Sequence, residues 1–446
     1  MKKFNLSENL LIGSLLFGLF FGAGNLIFPL ELGFNSGGNL LYVTIGFLLS
    51  AVTLPILAVV ATAASDSESL FDICRPTGVK FAYFFTCLLY LAIGPGFAIP
   101  RTATTSYEMV IGHFEQLNNS FSLIIFSIVF FAMVLYFSIK KAKLINTIGR
   151  YMTPIFLCLL SILLILSIIK PIGAVGSGLI SKKYIASPLT AGIIDGYNTL
   201  DAPAGLAFAI IIISNIKNLG IKEPKSIAIE TLKSGIVCLL AMSVIYAGLA
   251  YMGSCASNIM DEAENGARIL AEISNYYLGG LGHLLLSAIV YIACLKTAIG
   301  LVSACSEMFV DMFKFNISYK KYCLIFTILS FLVANLGLKQ IIALSLPVLL
   351  FIYPISIVLI FLSIISIYIG KRKIVYQAML LTTGLAAVID FLKASPAFIS
   401  SSNIITSIVD FTVTYLPGAS IGFGWVIPAI LGLIIGLILD KKYIKN

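Results

Sequence analysis

Few residues of this chain could do chemistry, and most of them lie inside apolar runs. Asp195 and Asp201 bracket Gly196-Tyr197-Asn198-Thr199-Leu200, with Ala202-Pro203 directly after. Gly22-Ala23-Gly24-Asn25 interrupts a second apolar run, and Pro29 follows it. Lys296 stands beside Thr297 in a third run, and Arg101 follows Pro95 and Pro100 in a fourth. Such sets suit holding a charged ligand more than breaking a bond. A hydrolase at membrane depth needs a nucleophile and base, or metal ligands. The two histidines, His113 and His283, fall at the ends of runs, and the eight cysteines form no C-x-x-C. Neither a zinc cluster nor a disulfide framework is indicated. Asp195 and Asp201 could be drawn as an aspartyl pair, but they share one interrupted run. No P-loop occurs, which argues against an ATP-driven pump.

The elements that must position these residues are membrane helices. Of the 446 residues, 59% are apolar and 11% are charged, against roughly 25% charged in a soluble domain. A soluble fold of this length could not bury that much apolar surface. A soluble enzyme, a disordered regulator and a secreted disulfide scaffold are therefore excluded. The expected class is an all-α integral membrane protein in one transmembrane domain over 1–446. Twelve spans are expected at roughly 9–31, 40–62, 79–110, 121–139, 149–169, 188–214, 227–252, 282–311, 322–338, 341–369, 375–393 and 421–439. Segment 395–420 either dips into the membrane or lies on its surface. The acidic loop 253–281 is an outer lid or a solvated loop helix.

The net charge of +9 reads as topology and not as a nucleic-acid face. With a cytoplasmic N-terminus, 20 of the 29 lysines and arginines fall in inside segments, six fall outside, and Arg101, Lys233 and Lys296 fall within spans. That imbalance supports a cell-membrane protein with both termini in the cytoplasm.

Only spans one and six are broken by residues that a lipid-facing helix avoids. If 9–169 and 188–369 are inverted repeats, with two additional helices at 375–439, the breaks occupy corresponding positions. A matched pair of interrupted spans points to a transporter's central site, because open backbone at that depth needs protein or a watery cavity around it. Glycines that merely let helices pack closely are the alternative. The outer half of span one would turn its positive dipole end inward, which suits a carboxylate. The outer half of span six would end in free carbonyls, which suit an ammonium. Together they suit an amino-acid zwitterion, and the apolar surroundings favour an aliphatic side chain. The substrate-binding candidates are Gly22, Ala23, Gly24, Asn25, Gly196, Tyr197, Asn198, Thr199 and Asp201. Asp201 is either a functional carboxylate or an N-cap with Pro203 in the first turn. Tyr197, Asn198 and Thr199 either line the pocket or satisfy the unwound backbone.

Phe17-Gly18-Leu19-Phe20-Phe21-Gly22-Ala23-Gly24-Asn25-Leu26-Ile27-Phe28-Pro29 resembles the first-helix signature of the bacterial branched-chain amino acid symporters, the BrnQ or LIVCS family. Ile93-Gly94-Pro95-Gly96-Phe97-Ala98-Ile99-Pro100-Arg101-Thr102 resembles their third-helix motif, and Gly196-Tyr197-Asn198-Thr199-Leu200-Asp201-Ala202 their broken sixth helix. The resemblance covers essentially the whole chain. It implies a LeuT-like fold of two five-helix inverted repeats. It also implies uptake of leucine, isoleucine and valine with a coupling ion, usually sodium.

In sodium-coupled carriers of that fold, one sodium lies between the first helix and helix 8. Its ligands are backbone carbonyls and two adjacent hydroxyls. The matching stretch here is Ala293-Cys294-Leu295-Lys296-Thr297, so Thr297 supplies one hydroxyl and Lys296 replaces the other. A lysine at a span centre costs about 2.5–3.5 kcal/mol, and its stem cannot cross a half-bilayer of about 15 Å. Its ammonium is expected to stand in for sodium, bonding carbonyls near Gly18 and Phe21 and the Thr297 hydroxyl. A buried ammonium can release its proton, which opens a proton-coupled or facilitative route. A structural lysine with some other partner is the alternative. Glu307 shares its helix face but lies roughly 16 Å along the axis. Arg101 is either an outer gate residue that pairs with Glu31 or Glu108, or an interfacial anchor.

The expected activity is secondary active uptake by alternating access around a midplane site. The expected partners are a small amino acid and the lipid bilayer, with no nucleic acid and no cofactor beyond sodium or a proton. A channel would display charge rings or a repeated filter, and an intramembrane enzyme would need the groups named above. Oligomeric state is not legible in the sequence.

Overall fold

The computed structural model describes residues 3–111, 119–178, 180–260, 263, 265–396 and 403–444. His113 and most of the acids in the loop 253–281 lie outside them. Among the described residues every regular element is helical. Eight helices are long and apolar enough to span a bilayer, and two bent pairs raise this to ten. Two further helices, Tyr319–Ala334 and Val426–Ile444, lie where spans nine and twelve are expected. The first has only 16 residues, about 24 Å at 1.5 Å per residue. Residues Asn403–Tyr415 form a helix of their own in the ambiguous segment.

The first bent pair is α1 (Leu6–Phe20) and α2 (Ala23–Asn35). Asn5 and Glu8 start α1 with a reciprocal capping box. Its last turn ends at Phe21, and Gly22 is extended, with φ −103° and ψ −165°. The segments Leu6–Phe20 and Gly24–Asn35 then diverge by 72°.

The next span holds α3 (Leu40–Leu48), a π-helical turn over Leu49–Thr53, and α4 (Leu54–Ala64). A short helix, α5 (Leu70–Cys74), leads into α6 (Val79–Leu91) and α7 (Ala98–Val110). These last two are joined by Ala92–Gly96, where Gly94 has non-helical angles and Pro95 has no N–H to give. Span three is therefore kinked but continuous over Val79–Val110, and among the described residues the sharply bent pairs are those of spans one and six. Two peripheral helices follow, α8 (Ser120–Ser138) and α9 (Thr153–Ile169), and a short α10 (Lys182–Ala186).

The second bent pair is α11 (Pro188–Tyr197) and α12 (Asp201–Asn218), which diverge by 46°. Leu200 between them is left-handed at φ +65°, a strained setting for a branched side chain. The remainder comprises α13 (Pro224–Ala256), α14 (Gly266–Leu278), α15 (Gly280–Met312), α16 (Tyr319–Ala334) and α17 (Leu338–Ile369). Beyond these lie α18 (Lys373–Ala394), α19 (Asn403–Tyr415) and α20 (Val426–Ile444).

The packing repeats one arrangement. Helix α13 braces both halves of the first bent pair, and the span of α3 and α4 braces both halves of the second. Glycines allow the closest approaches. A Cβ at Gly33 would lie 1.9 Å from the Ala250 carbonyl, and one at Gly253 would lie 2.0 Å from that of Leu30. At the other brace, a Cβ at Gly46 would lie 2.0 Å from the Leu189 carbonyl, and one at Gly192 would lie 2.1 Å from that of Val43. Small residues at crossings are the means by which membrane helices approach closely. The outer faces of α8, α9 and α16 carry exposed Ile125, Val129, Ile165, Leu329 and Leu332, as a lipid-facing shell should.

Candidate functional site

The two breaks meet at Asn25. Its Oδ1 accepts the Gly22 N–H at 3.0 Å, which caps α2. Its Nδ2 donates to Asp201 Oδ2 at 2.5 Å and lies against the hydroxyl of Tyr246 from α13. That hydroxyl donates to the same Asp201 oxygen at 3.4 Å. All three side chains are buried. One amide thus links the first break, the second break and the helix that braces the first. Asp201 is the first residue of α12, with Leu200 at the cap position and no side-chain cap bond. The N-cap reading of Asp201 is therefore corrected: its carboxylate faces Asn25 and Tyr246.

A cavity lies between the breaks. Gly22, Gly24, Asn25, Asn198, Thr199 and Asp201 line it, which places six of the nine substrate-binding candidates together. Ala23 is the first residue of α2. The apolar wall includes Ile93, Ala204, Phe208 and Leu301. The other two candidates sit elsewhere. Gly196 is buried against α3, where a Cβ would lie 1.9 Å from Ser50 Oγ. Tyr197 stacks on Tyr353, with centroids 4.1 Å apart, and lines neighbouring cavities. The end of α11 also differs from expectation. The carbonyls of Asp195, Gly196 and Tyr197 accept from the N–H groups of Asn198, Thr199 and Leu200, and Thr199 Oγ1 donates to Gly196 at 2.8 Å. The turn itself consumes the carbonyls expected to meet an ammonium, and Asp201 is the negative group left facing the cavity.

Asp195 has a separate role. It pairs with Lys183 at 2.9 Å and accepts from Tyr184, both on α10. Burial, together with the Asp195 charge, pushes the Tyr184 phenol well above its usual range, so it stays a donor. Asp195 anchors a loop helix and forms no pair with Asp201.

Lys296 lies fully buried on α15. Its ammonium donates to the Phe21 carbonyl at 2.5 Å and the Gly18 carbonyl at 3.3 Å. It also lies 4.5 Å from the centroid of the Phe156 ring. The third expected contact is corrected: Thr297 Oγ1 donates to the Leu19 carbonyl at 3.4 Å and makes no bond to Lys296. Three carbonyls of the last turn of α1, those of Gly18, Leu19 and Phe21, are thereby held from α15. Ala293 is buried one turn before Lys296. Glu307 pairs with Lys141 at 2.7 Å, so it is not a partner of Lys296.

Arg101 lines the central cavity and also an adjoining one walled by Tyr197, Leu349 and Tyr353. Its guanidinium carbon lies 5.4 Å from the centroid of the Phe28 ring. The expected ion pair with Glu31 or Glu108 does not form among the described residues.

The family model described as branched-chain amino acid transport protein matches residues 5–443. The chain belongs to that family. A branched-chain amino acid permease BrnQ of Lactobacillus delbrueckii subsp. lactis is 42% identical over 429 residues, covering 96% of this chain and 95% of the permease. BrnQ of Bacillus subtilis is 41% identical and covers 98% of each chain. BraB of the same organism is 38% identical, over 97% of this chain and 95% of BraB. The protein is thus a multi-span membrane transporter and not an enzyme. Among solved structures, Mhp1, a nucleobase-cation-symport-1 family transporter, superposes with a TM-score of 0.62 at 11% identity, covering 98% of this chain and 93% of Mhp1. MhsT, solved with L-phenylalanine, superposes with a TM-score of 0.52 at 15% identity, covering 98% and 99%. These establish a LeuT-like fold.

Within this transporter, Tyr246 is the functional-site residue that the sequence does not signal. It lies in a 33-residue helix where Ser243 is the one polar residue within a turn of it. Phe156, which faces the Lys296 ammonium, is hidden in the same way on α9.

Proposed function

We propose that this transporter carries out secondary active uptake of branched-chain amino acids, coupled to a cation gradient, by alternating access around the cavity between the two breaks. The Asn25–Asp201 bond carries the reading: both interrupted spans contribute to one polar knot on the wall of one cavity. The amino-acid class comes from the family and from relatives named for branched-chain amino acids. In this reading the substrate ammonium faces Asp201 and its carboxylate faces the first turn of α2. The aliphatic chain packs against Ile93, Ala204, Phe208 and Leu301. The transporter sits in the cell membrane with both termini in the cytoplasm, as the 20-to-6 distribution of basic residues favours.

Lys296 supports a second reading of the coupling. Its ammonium bonds carbonyls at the end of the first helix, where the resemblance would place a sodium. In this version a resident ammonium holds the end of α1, and transport is sodium-independent, with a proton gradient or the substrate gradient alone as the driving force. Uptake of labelled leucine into proteoliposomes, with sodium and proton gradients imposed separately, tests both. Accumulation with sodium alone supports the sodium symporter. Accumulation with protons alone supports Lys296 as the resident cation, and equilibration without accumulation supports a facilitator. No leucine movement under any gradient would overturn the proposed substrate.

A further inference from the structure

The sequence makes Arg101 a gate residue or an interfacial anchor. In the structure it lines both the central cavity and the adjoining one. It belongs to α7, which follows the kink at Gly94-Pro95 and lines the central cavity with Ala98, Arg101 and Thr102. A Cβ at Gly24 would lie 3.8 Å from Arg101 Nη2, so the guanidinium stands beside the first turn of α2. Two positive poles, a helix N-terminus and a guanidinium, therefore converge on one place. Among the described residues nothing neutralises them. Arg101 forms no ion pair and no side-chain hydrogen bond among those residues, and its guanidinium carbon lies 5.4 Å from the centroid of the Phe28 ring. Asp201 lines the same cavity, yet the two do not pair. Unpaired opposite charges facing one cavity at membrane depth are costly. A third group that carries both charges would satisfy each of them.

We infer that Arg101 is the carboxylate anchor of the substrate, and that Arg101 and Asp201 together restrict it to free α-amino acids. This rests on the proposed transport reading. The planar fork of arginine matches a carboxylate through two parallel hydrogen bonds, and the first-turn N–H groups of α2 lie alongside. Asn25 and Tyr246 both bond the same Asp201 oxygen, Oδ2, which leaves Oδ1 as the oxygen to meet the ammonium. Arg101 also lines the adjoining cavity, so the same side chain meets an arriving substrate before it reaches the centre.

The test is equilibrium binding of labelled leucine to the purified full-length transporter, with three competitors. These are leucine, leucinamide (ammonium but no carboxylate) and 4-methylpentanoate (carboxylate but no ammonium). The wild type should bind leucine at least about tenfold more tightly than either analogue, the range for a hydrogen-bonded charge. Arg101→Gln should weaken leucine about tenfold or more and leave leucinamide within about twofold, so that the preference between them disappears. Asp201→Asn should erase the preference over 4-methylpentanoate instead. Arg101→Lys keeps the charge without the fork and should recover part of the discrimination, which a fold defect would not allow. Equal weakening of leucine and leucinamide in Arg101→Gln, or an undiminished preference, overturns the assignment. Absence of leucine binding to the wild type would overturn the transport reading beneath it.

Discussion

The Lys296 ammonium lies 2.5 Å from the Phe21 carbonyl, the last one before the chain breaks at Gly22. The bond fastens the end of α1 to the middle of α15. With Gly18 also bonded and the Phe156 ring facing the charge, a cation is built into the joint between the first and eighth spans. A freely exchanging ion at this place would leave that joint loose in its absence, whereas a covalently attached ammonium does not dissociate.

Replacement of Lys296 should therefore change the ion requirement before it changes the substrate. Lys296→Thr restores two adjacent hydroxyls with Thr297 and frees the carbonyls of Gly18 and Phe21. Leucine uptake by this variant is expected to become stimulated by external sodium several-fold over a choline control. Lys296→Met fills the space without a charge and should abolish uptake, because two buried carbonyls lose their donor at about 1–3 kcal/mol each. Initial uptake rates as a function of sodium concentration check both. An ion dependence in Lys296→Thr identical to the wild type would reduce Lys296 to a packing role.

Tyr246 offers a cleaner probe of the knot than Asn25 or Asp201. Its ring packs between Phe21, at 5.5 Å, and Phe47, at 5.4 Å, and Tyr246→Phe keeps that packing. The variant removes only the hydroxyl shared by Asn25 and Asp201. Loss of one hydrogen bond to a charged group is worth about 1.5–3 kcal/mol, so leucine uptake should fall roughly 10- to 100-fold. The thermal midpoint of the purified protein should shift by only a few degrees. Asn25→Asp should be more severe, since it sets a second carboxylate against Asp201. Uptake kinetics together with thermal unfolding distinguish these outcomes. Full activity in Tyr246→Phe would show that the two breaks need no link through α13.

Legibility in the sequence follows residue chemistry. The breaks at Gly22 and Asp201 are readable because glycine, asparagine and aspartate are unwelcome in a lipid-facing helix. Lys296 is readable for the same reason, down to two of its three predicted partners. The third fails because Thr297, one residue on, points to the Leu19 carbonyl. The kink at Gly94-Pro95 is not readable as a break, since a π-helical turn absorbs it within one continuous span. Tyr197 misleads because its neighbours are polar, yet its ring finds Tyr353 across the fold. Tyr246 and Phe156 are invisible because an aromatic in an apolar run carries no spacing signal. What the sequence reveals is the cost of a polar group. Which apolar residue receives it depends on helix crossings set by distant glycines such as Gly33 and Gly253.

A second cavity continues along the helices that line the first. Helix α12 presents Ala204 and Phe208 to the central cavity, and Ile213, Ser214 and Lys217 to the other. Helix α15 presents Leu301 to the first and Glu307 to the second. Phe20 packs edge-on against Phe208 at 5.7 Å beside the first. Around the second cavity, Lys141 pairs with Glu307 and Lys217 with Glu68. The Glu307 side chain is only 11% exposed while Glu68 is 68% exposed, so the first pair should matter and the second should not, because exposed pairs contribute about 0–1 kcal/mol. Glu307→Gln and Lys141→Met are each expected to change leucine transport three- to tenfold, roughly 0.7–1.4 kcal/mol in a transition barrier. Glu68→Gln should stay within about twofold. The swap Lys141→Glu with Glu307→Lys separates pairing from mere charge: recovery toward wild-type rates means that the two residues act on each other. Additive losses in the swapped protein would instead mean that each acts alone, and the ion pair would then not be part of the closure on this side of the cavity.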